Sequence, residues 1–121
     1  MNWQITYIAD ENLIYVKTSG VVTSEAANSM LKEIVEVAIC HQCDRQIIDH
    51  SGADFALRLF ELYERPSINV RIGLSHKWKI AMIFSELTQN TFFMETVFRN
   101  RGYNFRQFDN LEKARTWILS E

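Results

Sequence analysis

From Trp3 to Ala9 the chain alternates Trp3, Ile5 and Tyr7 against Gln4 and Thr6, the two-residue period of a strand with one buried face. The polar stretch Asp10-Glu11-Asn12 follows, and then a second β-rich run from Leu13 to Thr18, so an antiparallel hairpin is predicted at the start. Gly20 is expected to break the second strand, and Thr23 or Ser24 to cap a helix by accepting a backbone N–H. In that helix Ala27, Leu31, Ile34, Val35 and Ala38 recur at helical spacing opposite Asn28, Lys32, Glu33 and Glu36. The amphipathic pattern ends near Cys40 to Cys43, and Gln46-Ile47-Ile48-Asp49 then reads as a short strand with an apolar centre.

Between Ser51 and Lys79 the periodicity is weak. Asp54 is placed to cap a helix carrying Leu57, Phe60 and Tyr63, with a break at Pro66, which lacks an N–H and clashes with the preceding turn. Ile80-Ala81-Met82-Ile83-Phe84 is continuously apolar, as a central parallel strand covered on both faces should be. A third helix places Phe93, Val97 and Phe98 inward, with Gly102 positioned to stop it in a left-handed conformation. Tyr103 to Phe108 makes the next strand. Asp109, followed three residues later by Glu112, precedes a closing helix with Leu111, Ala114 and Ile118 on one face. The order ββαβαβαβα predicts one α/β domain over residues 1–121, with a mixed, mostly parallel five-stranded sheet and right-handed crossovers.

Three stretches carry a resemblance to known proteins: IIDHSGADF (Ile47 to Phe55), KIAMIFSE (Lys79 to Glu86) and FFMETVFRNRGYNFRQFDNLEKARTWI (Phe92 to Ile118). Together with the element order, they resemble the STAS-like superfamily of anti-sigma-factor antagonists, and within it a group of small bacterial proteins. The resemblance implies a regulatory or protein-interaction module and no enzymatic activity. In the antagonists a phosphorylated serine stands at the helix start beyond the strand-ending aspartate. Here Ala56-Leu57-Arg58-Leu59 occupy those positions and offer no hydroxyl, although Ser51 stands close by. A likeness of some members to CRAL-TRIO lipid-binding domains implies an apolar small-molecule ligand as the alternative.

Composition narrows the field. The chain has 121 residues, 47% hydrophobic, which suffices for one core. A net charge of −2 supplies no positive field for a phosphate backbone, so nucleic-acid binding is not expected. No apolar run approaches the roughly 20 residues of a membrane-spanning helix. The first residues also lack a basic flank followed by an apolar stretch, and a cytoplasmic location is the expectation.

Candidate chemistry is sparse. Cys40 and Cys43 have the spacing of a dithiol or half a zinc site, but they fall at a helix C-terminus, where the dipole opposes thiolate, and no second pair exists. Asp49-His50-Ser51 holds the residue types of a hydrolase triad, yet neighbours on an extended chain point to opposite faces. No catalytic set, metal site or cofactor is expected. Ligands of open α/β sheets gather beyond the carboxyl ends of parallel strands, which brings Asp49, His50, Ser51, Ser85 and Glu86 forward, with Asp54 from the following loop. Asp49 and Ser51 also suit a purely local role in capping that loop. Arg99, Arg101 and Arg106 form a basic group that complements a helix C-terminus. Trp78, Phe92 and Phe93 suit the core, a lipid pocket or a dimer face. The expected partner is a protein, a second copy of the chain included, bound near the Asp49 to Asp54 loop.

Overall fold

The computed structural model describes residues 1–120. Strands β1 (Asn2–Ile8) and β2 (Leu13–Val22) form the antiparallel hairpin, turned by one 3-10 turn at Ala9–Glu11 and by Asn12 in the left-handed region. Beyond them the chain runs α1 (Ser24–His41), β3 (Arg45–Asp49), β4 (Ala53–Phe55), α2 (Leu59–Ile72), β5 (Lys79–Ile83), α3 (Gln89–Asn100), β6 (Asn104–Phe108) and α4 (Leu111–Ile118). The sheet order is β1-β2-β3-β5-β6, with β4 attached to β2. Every pairing except β1 with β2 is parallel. The predicted five strands are present, and β4 is a sixth.

Gly20 does not end its strand. It adopts φ of 81°, open to glycine without the clash a Cβ brings, and at that bend β2 changes neighbours. Ser19 is the last residue paired with β1, and Gly20–Val22 then pair with Ala53–Phe55. Earlier in β2, Ile14 to Lys17 pair with Gln46 to Asp49 on the same side. Strands β3 and β4 are thus one interrupted strand beside β2, with His50, Ser51 and Gly52 looped out between them. A three-residue strand following a looped-out segment has too short an alternation to stand out in sequence.

Successive parallel strands are added in one direction, so right-handed crossovers place α1, α2 and α3 on the same face. There Ile14, Val16, Ile34, Leu62, Phe98 and Phe105 form the larger core. Helix α4 covers the opposite face, packing Ala114 and Ile118 on Leu13, Ile47, Ala81, Ile83 and Phe108. The alternation of Ile47 and Ile48 between these two cores explains why the inner strands carry continuous apolar runs.

Several local expectations are corrected. Helix α2 continues through Pro66, which lies on its buried stripe with Leu62, Arg65 and Asn69, and packing there outweighs the lost hydrogen bond. That stripe leaves Phe60 and Tyr63 exposed. Asp54 belongs to β4; Arg58 is the N-cap of α2, and the Glu61 carboxylate accepts its N–H at 3.1 Å. Asn110, not Asp109, caps α4 by accepting from the Lys113 N–H at 2.9 Å. Gly102 does stand at φ of 86° just beyond α3. Among the described residues no helix is long and apolar enough to cross a membrane.

Candidate functional site

Parallel strands β3 and β5 end side by side, and a crevice of about 560 Å³ opens beyond them. One wall is His50, Ala53, Asp54 and Phe55; the other is Phe84, Ser85 and Glu86 with the first turn of α3 from Thr88 to Thr91. Four of the six residues proposed from sequence, His50, Asp54, Ser85 and Glu86, therefore share one crevice. Asp49 and Ser51 do not line it.

The separation follows from strand geometry, since Asp49 and His50 lie at the end of β3 and direct their side chains to opposite faces. The Asp49 carboxylate accepts from Tyr15 Oη at 2.6 Å, Lys17 Nζ at 3.3 Å and the Ser51 N–H at 2.9 Å. Burial works to raise its pKa, but the bonds from Ser51 and Tyr15 and the Lys17 charge outweigh it and hold the carboxyl below its ordinary range. Tyr15 is pushed up, first by burial and then by its bond to that carboxylate and its charge. Ser51 Oγ lies 2.9 Å from Lys17 Nζ, the reach of a serine–lysine nucleophile pair. Lys17 Nζ donates to both Ser51 Oγ and the Asp49 carboxylate, and the cluster ties the loop to β2.

His50 is buried on the helical face, where its ring lies 5.6 Å from that of Phe55 and 6.0 Å from that of Phe84. Its Nδ1 is 2.7 Å from Thr18 Oγ1, which also lies 3.2 Å from the Asp49 carbonyl oxygen. The carbonyl can only accept, so both contacts are hydrogen bonds at once only when the hydroxyl donates to it and accepts from Nδ1–H. Nε2 then carries the lone pair, and no described residue bonds to it. Burial pushes the imidazole pKa down to about 4, against the opposing effect of Asp49, so the ring is neutral at pH 7.

Helix α3 supplies the opposite wall. Thr88 Oγ1 accepts from the Thr91 N–H, and Thr91 Oγ1 accepts in turn from the Thr88 N–H at 2.8 Å, a closed capping box. Nothing but the residue types of Thr88 and Thr91 signalled this. Thr18, which sets the tautomer of His50, was not foreseeable from sequence, because its partner lies 32 residues away.

Beside Phe55 and His50 a small cavity of about 40 Å³, bordered by Met30, Met82 and Met94, has room for a water or two but not for a lipid. Arg65 borders it too, joining α2 to α1 through Ser24 Oγ at 3.2 Å and Asn28 Oδ1 at 2.5 Å. Phe92 is exposed, and Trp78 and Phe93 are half-buried against the larger core. The three arginines disperse: Arg99 binds the Phe105 carbonyl, Arg101 lies over Tyr63 and bonds Ser67, and Arg106 lies over Phe108. Cys40 is exposed and Cys43 buried, its thiol 3.3 Å from the Asn12 and Arg45 carbonyls, and both are free thiols.

The fold and crevice define a small mixed-sheet α/β domain with a polar cleft at the carboxyl ends of its parallel strands. No family model matches the sequence, and no curated protein matches it.

Proposed function

We propose that the chain is a non-enzymatic regulatory module of the STAS-like type, which recognises a protein partner with the end of the sheet where β3 and β5 terminate. The observation that carries this reading is a set of exposed apolar side chains at the starts of the helices that follow β4 and β5. Leu59 and Phe60 open α2, and Phe92 lies in the first turn of α3, next to crevice residues; Phe60 is 57% exposed and Phe92 is 54% exposed. Exposed large apolar side chains close in sequence to a polar cleft suit a recognition surface. The divergence of Asp49, His50 and Ser51 supports a non-catalytic role, because a nucleophile, base and orienting group must converge on one reacting atom. The absence of a hydroxyl from Ala56 to Leu59, at the start of α2, argues for recognition without phosphorylation there.

The test is affinity capture from native lysate with the wild-type chain, a Phe60→Ser/Phe92→Ser double variant and a Leu111→Ser control on α4. A partner held in stoichiometric amount by wild type and control, and at least tenfold weaker by the double variant at unchanged melting temperature, is the expected outcome. Equal capture by all three places recognition elsewhere and overturns the reading.

A further inference from the structure

We infer that β1 is the interface of a two-fold dimer, pairing antiparallel with β1 of a second copy so that the two sheets join edge to edge with Ile5 of each copy on the axis. No residue of β1 lines the crevice, and the inference stands independently of the reading above.

A sheet ends on each side in a strand whose outer row of backbone N–H and C=O groups is open to another chain, and the two ends of this sheet are treated differently. Strand β6 ends one side. There α3 closes the edge: Glu95 Oε1 accepts from the Gln107 N–H at 2.8 Å, and Arg99 Nε donates to the Phe105 carbonyl at 2.9 Å. Strand β1 ends the other side, and among the described residues its backbone bonds only to β2. Alternate residues therefore turn an unpaired N–H and C=O outward. Its pairing with β2 runs unbroken from Asn2 opposite Ser19 to Ile8 opposite Leu13, and its seven residues include no charge and no proline. Bulges, charges and prolines are the devices that block pairing at an edge, and β1 has none of them.

The residues of β1 fit a second β1. Trp3-Gln4-Ile5-Thr6-Tyr7 reads aromatic, polar, isoleucine, polar, aromatic from either end. An antiparallel copy centred on Ile5 sets Trp3 opposite Tyr7 of the other copy, Gln4 opposite Thr6, and Ile5 opposite Ile5. Residues directly opposite share a face, so both copies keep α1 on one side; a slip of one residue would turn one copy over. Trp3, Ile5 and Tyr7 are half-buried against the larger core, while Gln4 and Thr6 are exposed. The pairing joins the apolar rows of the two copies and leaves the polar pairs in solvent. Charge complementarity agrees with this register. Trp3 Nε1 donates to the Glu33 carboxylate of α1, and the Tyr7 ring stacks on His41 with centroids 3.9 Å apart. Setting Trp3 against Tyr7 brings the Glu33 acceptor of one copy toward the His41 N–H donor of the other, twice about the axis. With β6 closed by α3, assembly stops at two copies.

Sedimentation equilibrium of the full chain from about 1 µM to about 1 mM, with amide hydrogen exchange at both ends of that range, tests this. Two variants place charges on the exposed pair that meets across the axis. Gln4→Glu/Thr6→Glu sets acid against acid at both crossings, and Gln4→Glu/Thr6→Lys sets acid against base. Gln4 stands opposite Lys17 in its own hairpin, so the shared change is favourable within each chain. The expected result is a wild-type dimer whose β1 amides exchange at least tenfold more slowly, relative to those of β6, at the high concentration. The acid–acid variant should dimerise at least tenfold more weakly than wild type, and the acid–base variant at least as tightly. A wild-type chain that stays monomeric leaves the edge to a strand of another protein and overturns the inference. A dimer that both variants form equally well uses another surface, and one that both weaken equally lies in another register; either result overturns it as well. Should the variants fail to fold, wild-type exchange decides alone, and β1 amides indifferent to concentration reject the interface. Partner capture by the Phe60 and Phe92 variants judges the reading of the crevice end separately.

Discussion

Thr18 of β2 and His50, just beyond the end of β3, share a hydrogen bond of 2.7 Å in which the imidazole donates through Nδ1–H. Because Thr18 also holds the Asp49 carbonyl, the end of β3 is pinned at the point where the chain loops out before β4.

Burial of that imidazole makes the protein sensitive to mild acid. With a folded pKa of about 4 against an ordinary 6.5, His50 binds its proton more readily in the unfolded chain. Stability is therefore full above pH 6.5 and falls as the pH drops toward 4, by about 3 kcal/mol at roughly 1.4 kcal/mol per unit. Denaturant unfolding between pH 7 and 4 should show that slope. His50→Asn, whose amide can still donate to Thr18, should flatten it; a slope unchanged in that variant would assign it to another group.

Asp49 gathers three donors, and Asp49→Asn removes the charge that holds them. A loss of about 2 kcal/mol is expected, as for charge-assisted bonds. The Tyr15 phenol should then ionise at lower pH, read by absorbance at the phenolate band, since Asp49 is one of the causes of its raised pKa. Ser51→Ala should cost less, because its backbone N–H still serves the carboxylate.

Gly73 closes α2 at φ of 128°, and a Cβ there meets Val35 Cγ1 of α1 at 2.9 Å. Gly73→Ala combines backbone strain with overpacking and should cost about 3 kcal/mol in thermal or denaturant unfolding. Adding Val35→Ala should recover the steric part alone, so the double variant should be less destabilised than the sum of the two single changes.

Element existence was largely legible in the sequence because helix and strand periods are local. The alternation through Trp3, Ile5 and Tyr7, the spacing from Ala27 to Ala38 and the apolar run Ile80 to Phe84 each became the element they predicted. Failures came where a distant contact decided the matter. Pro66 stays inside α2 because its position falls on the stripe buried against neighbouring elements, and Gly20 bends β2 because another strand awaits it beyond the bend.

The candidate site divides in the same way. The carboxyl ends of β3 and β5 could be located from strand order, and with them His50, Asp54, Ser85 and Glu86. That Asp49 and Ser51 belong to a loop anchor with Tyr15 and Lys17, and that Thr18 sets the tautomer of His50, needed the third dimension. By itself the sequence determined which segments become strands and helices, through periods that each segment carries internally. Tertiary structure alone decided how Asp49 and His50 bond to Tyr15, Lys17 and Thr18, because those partners lie more than thirty residues away and meet only when β2 and β3 pair.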